Sequence, residues 1–249
     1  MNDRRRLSLG DELRGATVLV VGGSSGIGLA IAQRAHASGA TVAIASRSSE
    51  RLEAARGLIG AGTAVYELDV SNAGQVDATF ESLGALDHVV SSIPSHSPVG
   101  ALGSLDLTAA RTALELKLFG NVNVARAAAR SVVAGGSITM LAAISSRLGS
   151  PGMSLLGAAN AAVESLGRSL ASELAPIRVN VISPGMVDTD YWAHLDPEQR
   201  AAMLRDASSK LPTGRVATAD DIATIATALM TSRQVTGAVV DVDGGMLLH

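Results

Sequence analysis

A glycine-rich segment directly after the first apolar run constrains the fold of this chain more than any other feature. The apolar run Thr17–Val21 is followed by Gly22-Gly23-Ser24-Ser25-Gly26-Ile27-Gly28, and a helix-period pattern begins within that segment. Glycine is needed where the backbone turns sharply and where a pyrophosphate approaches the amides at a helix N-terminus. The sequence therefore predicts a strand, a nucleotide-binding loop and a helix in direct succession.

Short apolar runs alternate with helix-period segments along the whole chain. The runs are rich in Val, Ile and Thr and apolar on both faces, as in parallel strands covered on both sides. They are Thr17–Val21, Thr41–Ala45, Ala64–Glu67, His88–Ser92, Ser137–Leu141, Arg178–Ile182 and Ala238–Val242. The helical segments include Ile27–Ser38, Leu107–Val133, Ser154–Leu174 and Ala219–Met230, the last beginning at Thr218 with Asp221 three residues on. This alternation predicts an α/β fold with a doubly wound parallel sheet of about seven strands.

Composition excludes several classes of protein. With 249 residues, 47% hydrophobic and 17% charged, the chain can form one globular domain, which we expect over residues 15–249 after a flexible arm at 1–14. Its net charge of −3 gives no support for a nucleic-acid partner, and no apolar run is long enough for a membrane span. It has no cysteine, and no cluster of His, Asp and Glu has the spacing of a metal site. We expect a cytoplasmic protein that acts on a small molecule.

Several motifs resemble those of the short-chain dehydrogenase/reductase (SDR) family. The spacing Gly22-x-x-x-Gly26-x-Gly28, the segment 183–189 and the segment 241–245 carry the resemblance, which covers about residues 15 to 245. It implies a Rossmann-type fold, oxidoreductase activity with a nicotinamide nucleotide, and a substrate lid around residues 186–212. It also implies a homotetramer or homodimer formed through the two long helices.

The resemblance assigns a set of residues to the cofactor. They are Gly22, Ser24, Ser25, Gly26, Ile27, Gly28, Ser46, Arg47, Asp69, Val70, Ser91, Asn160, Pro184, Gly185, Val187 and Thr189. A carboxylate at the end of the second strand would bind the ribose 2′-hydroxyl of NAD, and this chain has Ser46-Arg47 there instead. A guanidinium suits a 2′-phosphate, so we expect NADP(H) rather than NAD(H).

The residues that carry the chemistry of the family are absent. The usual asparagine, serine, tyrosine and lysine positions read Lys117, Ala143, Leu156 and Asn160. Leucine and alanine can neither donate a proton nor stabilise an oxyanion, and general acid–base help is typically worth about 10²–10⁴-fold. After the fourth strand, Pro94 replaces a glycine of the family turn, so we expect that loop to follow a different path.

Four residues remain as candidates for catalysis. Lys117 could act as an acid if burial depresses its pKa, unless it lies on the helix surface or at a subunit contact. Asn160 could hold a ribose hydroxyl. His96 follows the fourth strand, and its alternative is a solvated loop histidine. Tyr191 lies in the lid segment, and its alternative is packing within the lid without a role in the chemistry.

Three hypotheses follow. The first is an atypical NADPH-dependent reductase in which Lys117, His96, Tyr191, water or the substrate itself delivers the proton. Ser145 or Ser146 could replace the lost serine hydroxyl. The second is a catalytically inactive protein that either senses NADPH or is the structural partner of an active SDR in a hetero-oligomer. The third is a non-redox lyase or cyclase on the same frame, which the intact nucleotide loop disfavours.

Overall fold

The computed structural model describes residues 12–95 and 97–248, and within them the main sheet has seven parallel strands. In chain order these are β1 (Thr17–Val21), β2 (Thr41–Ser46), β3 (Ala64–Glu67), β4 (Leu86–Ser91), β5 (Val132–Leu141), β6 (Arg178–Pro184) and β9 (Val239–Val242). They lie side by side in the order β3-β2-β1-β4-β5-β6-β9, and each pair has a parallel register. Two further short strands, β7 (Val187–Asp188) and β8 (Ala217–Thr218), pair with each other. The predicted doubly wound sheet is confirmed. The predicted arm at 1–14 lies almost entirely outside the described residues.

Helices cover both faces of the sheet. They are α1 (Gly26–Ala37), α2 (Ser49–Ile59), α3 (Ala73–Leu83), α4 (Leu107–Leu114), α5 (Gly120–Ser131), α6 (Ser145–Leu148), α7 (Ser154–Glu173), α8 (Pro197–Lys210) and α9 (Ala219–Thr231). The predicted start of α9 is confirmed, because Thr218 and Asp221 form a reciprocal capping box. None of the helices in the described part of the chain is long and apolar enough to cross a lipid bilayer.

Alternation along the strands divides the core between the two faces. In β1, Leu19 and Val21 belong to one buried cluster, and Val18 and Val20 belong to the other. The first cluster packs against α3, α5 and α7, and the second packs against α1, α2 and α9. Burial on both faces explains why these strands are apolar throughout, as parallel strands usually are.

The helix predicted over Leu107–Val133 is not continuous. A π-helical turn, Glu115–Phe119, separates α4 from α5, and the helix ends at Ser131 because β5 begins at the next residue. The side-chain nitrogen Nδ2 of Asn121 donates a 2.7 Å hydrogen bond to the carbonyl oxygen of Lys117, which stabilises the wide turn. Such turns are often found at functional sites.

Candidate active site

The loop between β1 and α1 leaves no room for side chains at two of its glycines. A Cβ atom at Gly22 would lie 2.3 Å from the carbonyl oxygen of Ser92, and the φ angle of Gly22 is +80°. A Cβ atom at Gly28 would lie 2.1 Å from the carbonyl oxygen of Gly22. The side chain of Ser25 makes no capping hydrogen bond at the start of α1. The first amides of α1 can therefore donate to a phosphate.

The ends of β2 and β3 form one side of a surface cleft. Arg47 and Asp69 line it, and Arg47 makes no hydrogen bond or ion pair with any other described residue. The hydroxyl and amide of Ser71 donate to Oδ1 of Asp69 at 2.7 and 3.0 Å. These bonds, with a smaller contribution from Arg47, hold the pKa of Asp69 below its ordinary value. The hydroxyl of Ser46 is buried and has no hydrogen-bond partner.

The hydroxyl of Ser91, at the end of β4, is also buried without a partner. The amide of Ser92 donates to the carbonyl oxygen of Val21 at 2.8 Å, which fixes the end of β4 beside the glycine loop. Buried hydroxyls are seldom left unpaired in proteins. Ser46 and Ser91 therefore fit a ligand that supplies the missing hydrogen-bond partner.

The segment after β6 runs beside the glycine loop. The amide of Gly185 donates to the carbonyl oxygen of Val242 at 3.0 Å, and a Cβ atom at Gly185 would lie 2.9 Å from Cα of Asp243. A Cβ atom at Gly26 would lie 3.7 Å from Cβ of Thr189, so the two loops are in contact. The carbonyl oxygen of Pro184 accepts from the amide of Ile144, which joins this segment to the end of β5.

The aromatic residues of the expected lid pack against one another. The indole of Trp192 donates to the carbonyl oxygen of Val187 at 3.0 Å, and its ring makes an edge contact with Tyr191 at 4.9 Å between centroids. Tyr191 is 52% exposed. Nδ1 of His194 lies 3.0 Å from the carbonyl oxygen of Tyr191. His96, which was also a candidate for acid catalysis, lies outside the described residues.

Lys117 is only 2% exposed, which excludes the helix surface as its position. Its ammonium nitrogen Nζ donates at 2.7 Å to the carbonyl oxygen of Ile93 and at 2.7 Å to that of Leu141. The residue therefore joins the π-helical turn to the loop after β4 and to the end of β5. Burial lowers the pKa of Lys117 from 10.5 to about 7. Its two hydrogen bonds leave one N–H hydrogen for another acceptor.

Asn160 is fully buried on α7, one turn after Leu156. Its amide nitrogen Nδ2 donates to the carbonyl oxygen of Leu156 at 3.0 Å and to Oγ of Ser145 at 3.1 Å. Its oxygen Oδ1 is buried without a partner. Because Ser145 accepts from Asn160, the hydroxyl hydrogen of Ser145 is left to donate elsewhere. Ala143 and Leu156 carry no polar side-chain group.

A polar cluster around Glu164 was not foreseen from the sequence. Oε1 of this buried carboxylate accepts from the hydroxyls of Ser146 and Ser183 at 2.7 and 2.9 Å, and from Nη2 of Arg147 at 3.2 Å. Arg147 also pairs with Asp241. The cluster thus connects α6, α7, β6 and β9. One signal was available, because Glu164 lies four residues after Asn160 on the same helix face.

Known proteins are similar to this chain in sequence and fold over most of its length. A family profile described as "Enoyl-(Acyl carrier protein) reductase" matches residues 21–247. Carbonyl reductase family member 4 of Xenopus laevis is 32% identical over 240 residues, which are 92% of this chain and 97% of that protein. The chain belongs to the short-chain dehydrogenase/reductase family.

Two solved structures of this family resemble the chain closely. A small-chain dehydrogenase in complex with NADPH has a TM-score of 0.83 at 36% identity, with 94% of this chain and 99% of that chain covered. The MalC Reductase/Diels-Alderase from Malbranchea aurantiaca has a TM-score of 0.89 at 27% identity, with 97% and 100% covered. The expected family and the Rossmann-like SDR fold are thereby confirmed. Among the described residues, no group of three or more His, Cys, Asp or Glu side chains could hold a metal ion.

The structure brings the candidate residues together in two groups. Gly22, Gly26, Ser91 and Thr189 meet around the glycine loop, and Arg47 and Asp69 share the neighbouring cleft. Lys117 and Asn160 are both buried, but they share no hydrogen-bond partner: Lys117 binds backbone carbonyls, and Asn160 binds its own helix and Ser145. The exchange of lysine and asparagine therefore does not recreate one connected pair.

Proposed function

We propose that this SDR is an NADP(H)-dependent oxidoreductase that transfers hydride between NADPH and a carbonyl or alcohol substrate with a non-standard proton donor. The observation that carries the proposal is the unpaired buried hydroxyl of Ser46 beside the uncommitted guanidinium of Arg47. A 2′-phosphate supplies acceptor oxygens for both groups. No carboxylate stands at the end of β2 to repel it. The relative solved with NADPH supports the same choice.

The remaining cofactor residues fit the rest of such a nucleotide. The open amides of α1 suit the pyrophosphate, and the unpaired Oδ1 of Asn160 suits a ribose hydroxyl. Ser91 offers a second unpaired hydroxyl, and Gly185 and Thr189 belong to the segment that lies along the nicotinamide in the family. When bound, the nicotinamide supplies or accepts the hydride, and these side chains orient it.

Proton delivery needs a group other than the tyrosine that the family has at position 156, where this chain has leucine. Hydride addition to a carbonyl leaves an alkoxide, and Leu156 and Ala143 have no proton to give it. Lys117 has one remaining N–H and a pKa of about 7, which suits proton transfer near neutrality. Ser145 keeps a hydroxyl hydrogen while Asn160 donates to its oxygen, so it can relay a proton or stabilise the alkoxide. Tyr191 and His96 remain further candidates.

A second candidate function has its own support. All four polar positions of the family are changed at once, as expected for an inactive protein that senses NADPH or supports an active SDR. The match to MalC, whose name joins a reductase to a Diels-Alderase, keeps a non-redox cyclisation among the outcomes to be tested. For either function we propose a cytoplasmic protein that forms a homotetramer or homodimer, with a hetero-oligomer as the alternative.

The first experiment separates these functions in two steps. Nicotinamide fluorescence is followed while purified protein is titrated with NADPH and NADH. NADPH consumption is then measured with a panel of carbonyl acceptors that includes 3-oxoacyl thioesters. Tight NADPH binding with turnover supports the reductase, and tight binding without any turnover supports the sensor. Failure to bind either nucleotide overturns both proposals.

Substitution of Lys117 then tests its role in turnover. The expected result for Lys117→Met is a loss of turnover by about 10²-fold or more with NADPH affinity retained. The chain has only one other lysine, Lys210, which is exposed on α8 and paired with Asp206, so Lys210→Met is a matched control. Full turnover by Lys117→Met would assign the proton to Ser145, a lid residue or water.

A further inference from the structure

A second arginine lines the cleft in which Arg47 lies. Arg47, Asp69 and Ser71, at the ends of β2 and β3, form one wall, and residues of α4 and the π-helical turn form a second wall. Arg111 lies on this second wall, with Leu116 further along the chain. The cleft therefore holds two guanidinium groups that come from different walls.

No described residue engages the side chain of Arg111. It makes no hydrogen bond or ion pair with any of them, although Glu115 lies four residues later on the same helix. The acid nearest the start of α4, Asp106, is occupied, because its Oδ1 accepts from the amides of Thr108 and Ala109 at 2.8 and 3.1 Å. Arg111 is exposed, so its guanidinium can contact a ligand that enters the cleft shared with Arg47 and Asp69.

The chemistry of the cleft distinguishes the two arginines. Arg47 is next to the unpaired hydroxyl of Ser46, so it has a polar neighbour with which to hold a phosphate. Arg111 has the apolar side chain of Leu116 and the hydroxyl-bearing Thr112 near it on the same wall, and the hydroxyl of Thr112 already donates to the carbonyl oxygen of Thr108. A planar guanidinium in such surroundings suits the face of a flat aromatic ring.

We propose that Arg111 packs its guanidinium plane on the adenine ring of the bound nucleotide, so that Arg111 and Arg47 clamp the adenosine half from two walls. The assignment rests on the proposed nucleotide binding and adds a residue to it. Arg111 then contributes affinity for NADPH and NADH alike, and Arg47 alone distinguishes the 2′-phosphate. Stacking on the adenine ring does not depend on whether the ribose carries a 2′-phosphate, so it does not distinguish NADPH from NADH.

The test uses binding and does not depend on knowing the substrate. Full-length wild type, Arg111→Ala, Arg111→Lys and Arg47→Ala are titrated with NADPH and NADH by nicotinamide fluorescence. Adenosine 2′,5′-bisphosphate, which lacks the nicotinamide, is titrated by calorimetry. Arg233→Ala is the matched control, because Arg233 is exposed between α9 and β9 and has no partner among the described residues. Thermal unfolding confirms that each variant is folded.

The proposal predicts a specific pattern of losses. Arg111→Ala weakens NADPH and NADH by the same factor, about three- to tenfold, and weakens the bisphosphate equally. Arg111→Lys weakens binding nearly as much as Arg111→Ala, because an ammonium group keeps the charge but lacks the planar face of the guanidinium. Arg47→Ala weakens NADPH and the bisphosphate and leaves NADH unchanged.

Three results overturn the assignment, and they differ from one another. A loss confined to NADPH and the bisphosphate would make Arg111 a phosphate ligand, and rescue by Arg111→Lys would point the same way. Unchanged affinity in Arg111→Ala would leave it without a role in the nucleotide site. If wild type binds neither NADPH nor NADH, the proposed function fails before any variant is compared.

Discussion

The two halves of the sheet differ in what they keep of the SDR site. In the half formed by β1 to β4, the glycine loop, the unpaired hydroxyls of Ser46 and Ser91 and the arginine of the cleft all suit a nucleotide. In the half formed by β5 and α7, Ala143 and Leu156 replace the proton-handling side chains. The two halves meet at Lys117, whose ammonium binds the loop after β4 and the end of β5.

On the proposed function, we infer that nucleotide binding and proton delivery depend mainly on different parts of the chain. The nucleotide half depends mainly on backbone geometry, because a Cβ at Gly22 or Gly28 collides with main-chain oxygen. The catalytic half depends on side-chain groups that can be exchanged without moving the backbone. Apart from Asn160, which lies on α7 and is proposed to bind the ribose, substitutions in each half should give separable effects.

The largest effect is expected in the nucleotide half. Gly22→Val places a branched side chain at a φ of +80°, where even a Cβ would lie 2.3 Å from a carbonyl oxygen. We expect NADPH affinity to fall by more than about 100-fold, with lower stability, because the loop must shift. Gly57→Ala is the control, since a Cβ there has no atom within 4 Å, and it should leave both quantities unchanged or slightly raised. Titration and urea unfolding measure the two effects. Normal NADPH binding by Gly22→Val would contradict the importance of the loop.

The next effect tests whether the catalytic half keeps a structural role. Glu164→Ala removes the acceptor of the Ser146 and Ser183 hydroxyls and one of the two ionic partners of Arg147. We expect the free energy of unfolding to fall by about 2 kcal/mol, because the buried hydroxyl of Ser183 loses its acceptor while the partly exposed Arg147 keeps Asp241. Glu173→Ala, exposed near the end of the same helix, should change it by less than about 0.5 kcal/mol. Equal urea midpoints for the two variants would show that the cluster contributes nothing.

The smallest effect concerns Lys117, where the halves meet. Its pKa is about 7 in the folded protein against 10.5 ordinarily, so the unfolded chain binds more protons between those pH values. This residue therefore makes the free energy of unfolding rise with pH across that window, by at most about 1.4 kcal/mol per pH unit. Urea unfolding at pH 7 and pH 9 should show that rise reduced by about 2 kcal/mol in Lys117→Met. Parallel pH profiles for wild type and variant would mean that Lys117 keeps its proton throughout.

The strand pattern and the nucleotide loop were predictable because they are local. β1 and β3 have the bounds that their apolar runs indicate, and the capping box at Thr218 is readable from two side chains. β5 was harder, since its first part, from Val132, continues directly from a helix and pairs irregularly with β4. The resemblance to the family placed Lys117 and Asn160 at the positions of functional residues, and both are buried.

The side-chain contacts of the site were not predictable from the sequence. The partners of Glu164 come from α6, β6 and, through Arg147, from β9, so residues far apart in sequence must converge before they interact. Lys117 likewise reaches carbonyl oxygens that lie 24 residues away on either side. No local pattern records such distances. The buried hydroxyl of Ser46, by contrast, could be suspected from its position alone.

The wide turn at Glu115–Phe119 bears on how chains of this family can differ in length. A π-helical turn contains one more residue than the α-helical turn it replaces, so a single deletion here would restore a regular helix. Every residue before the deletion would then rotate by about 100° relative to α5. The number of residues in this turn thus decides which side chain faces the loop after β4. A single insertion or deletion can replace that side chain by another.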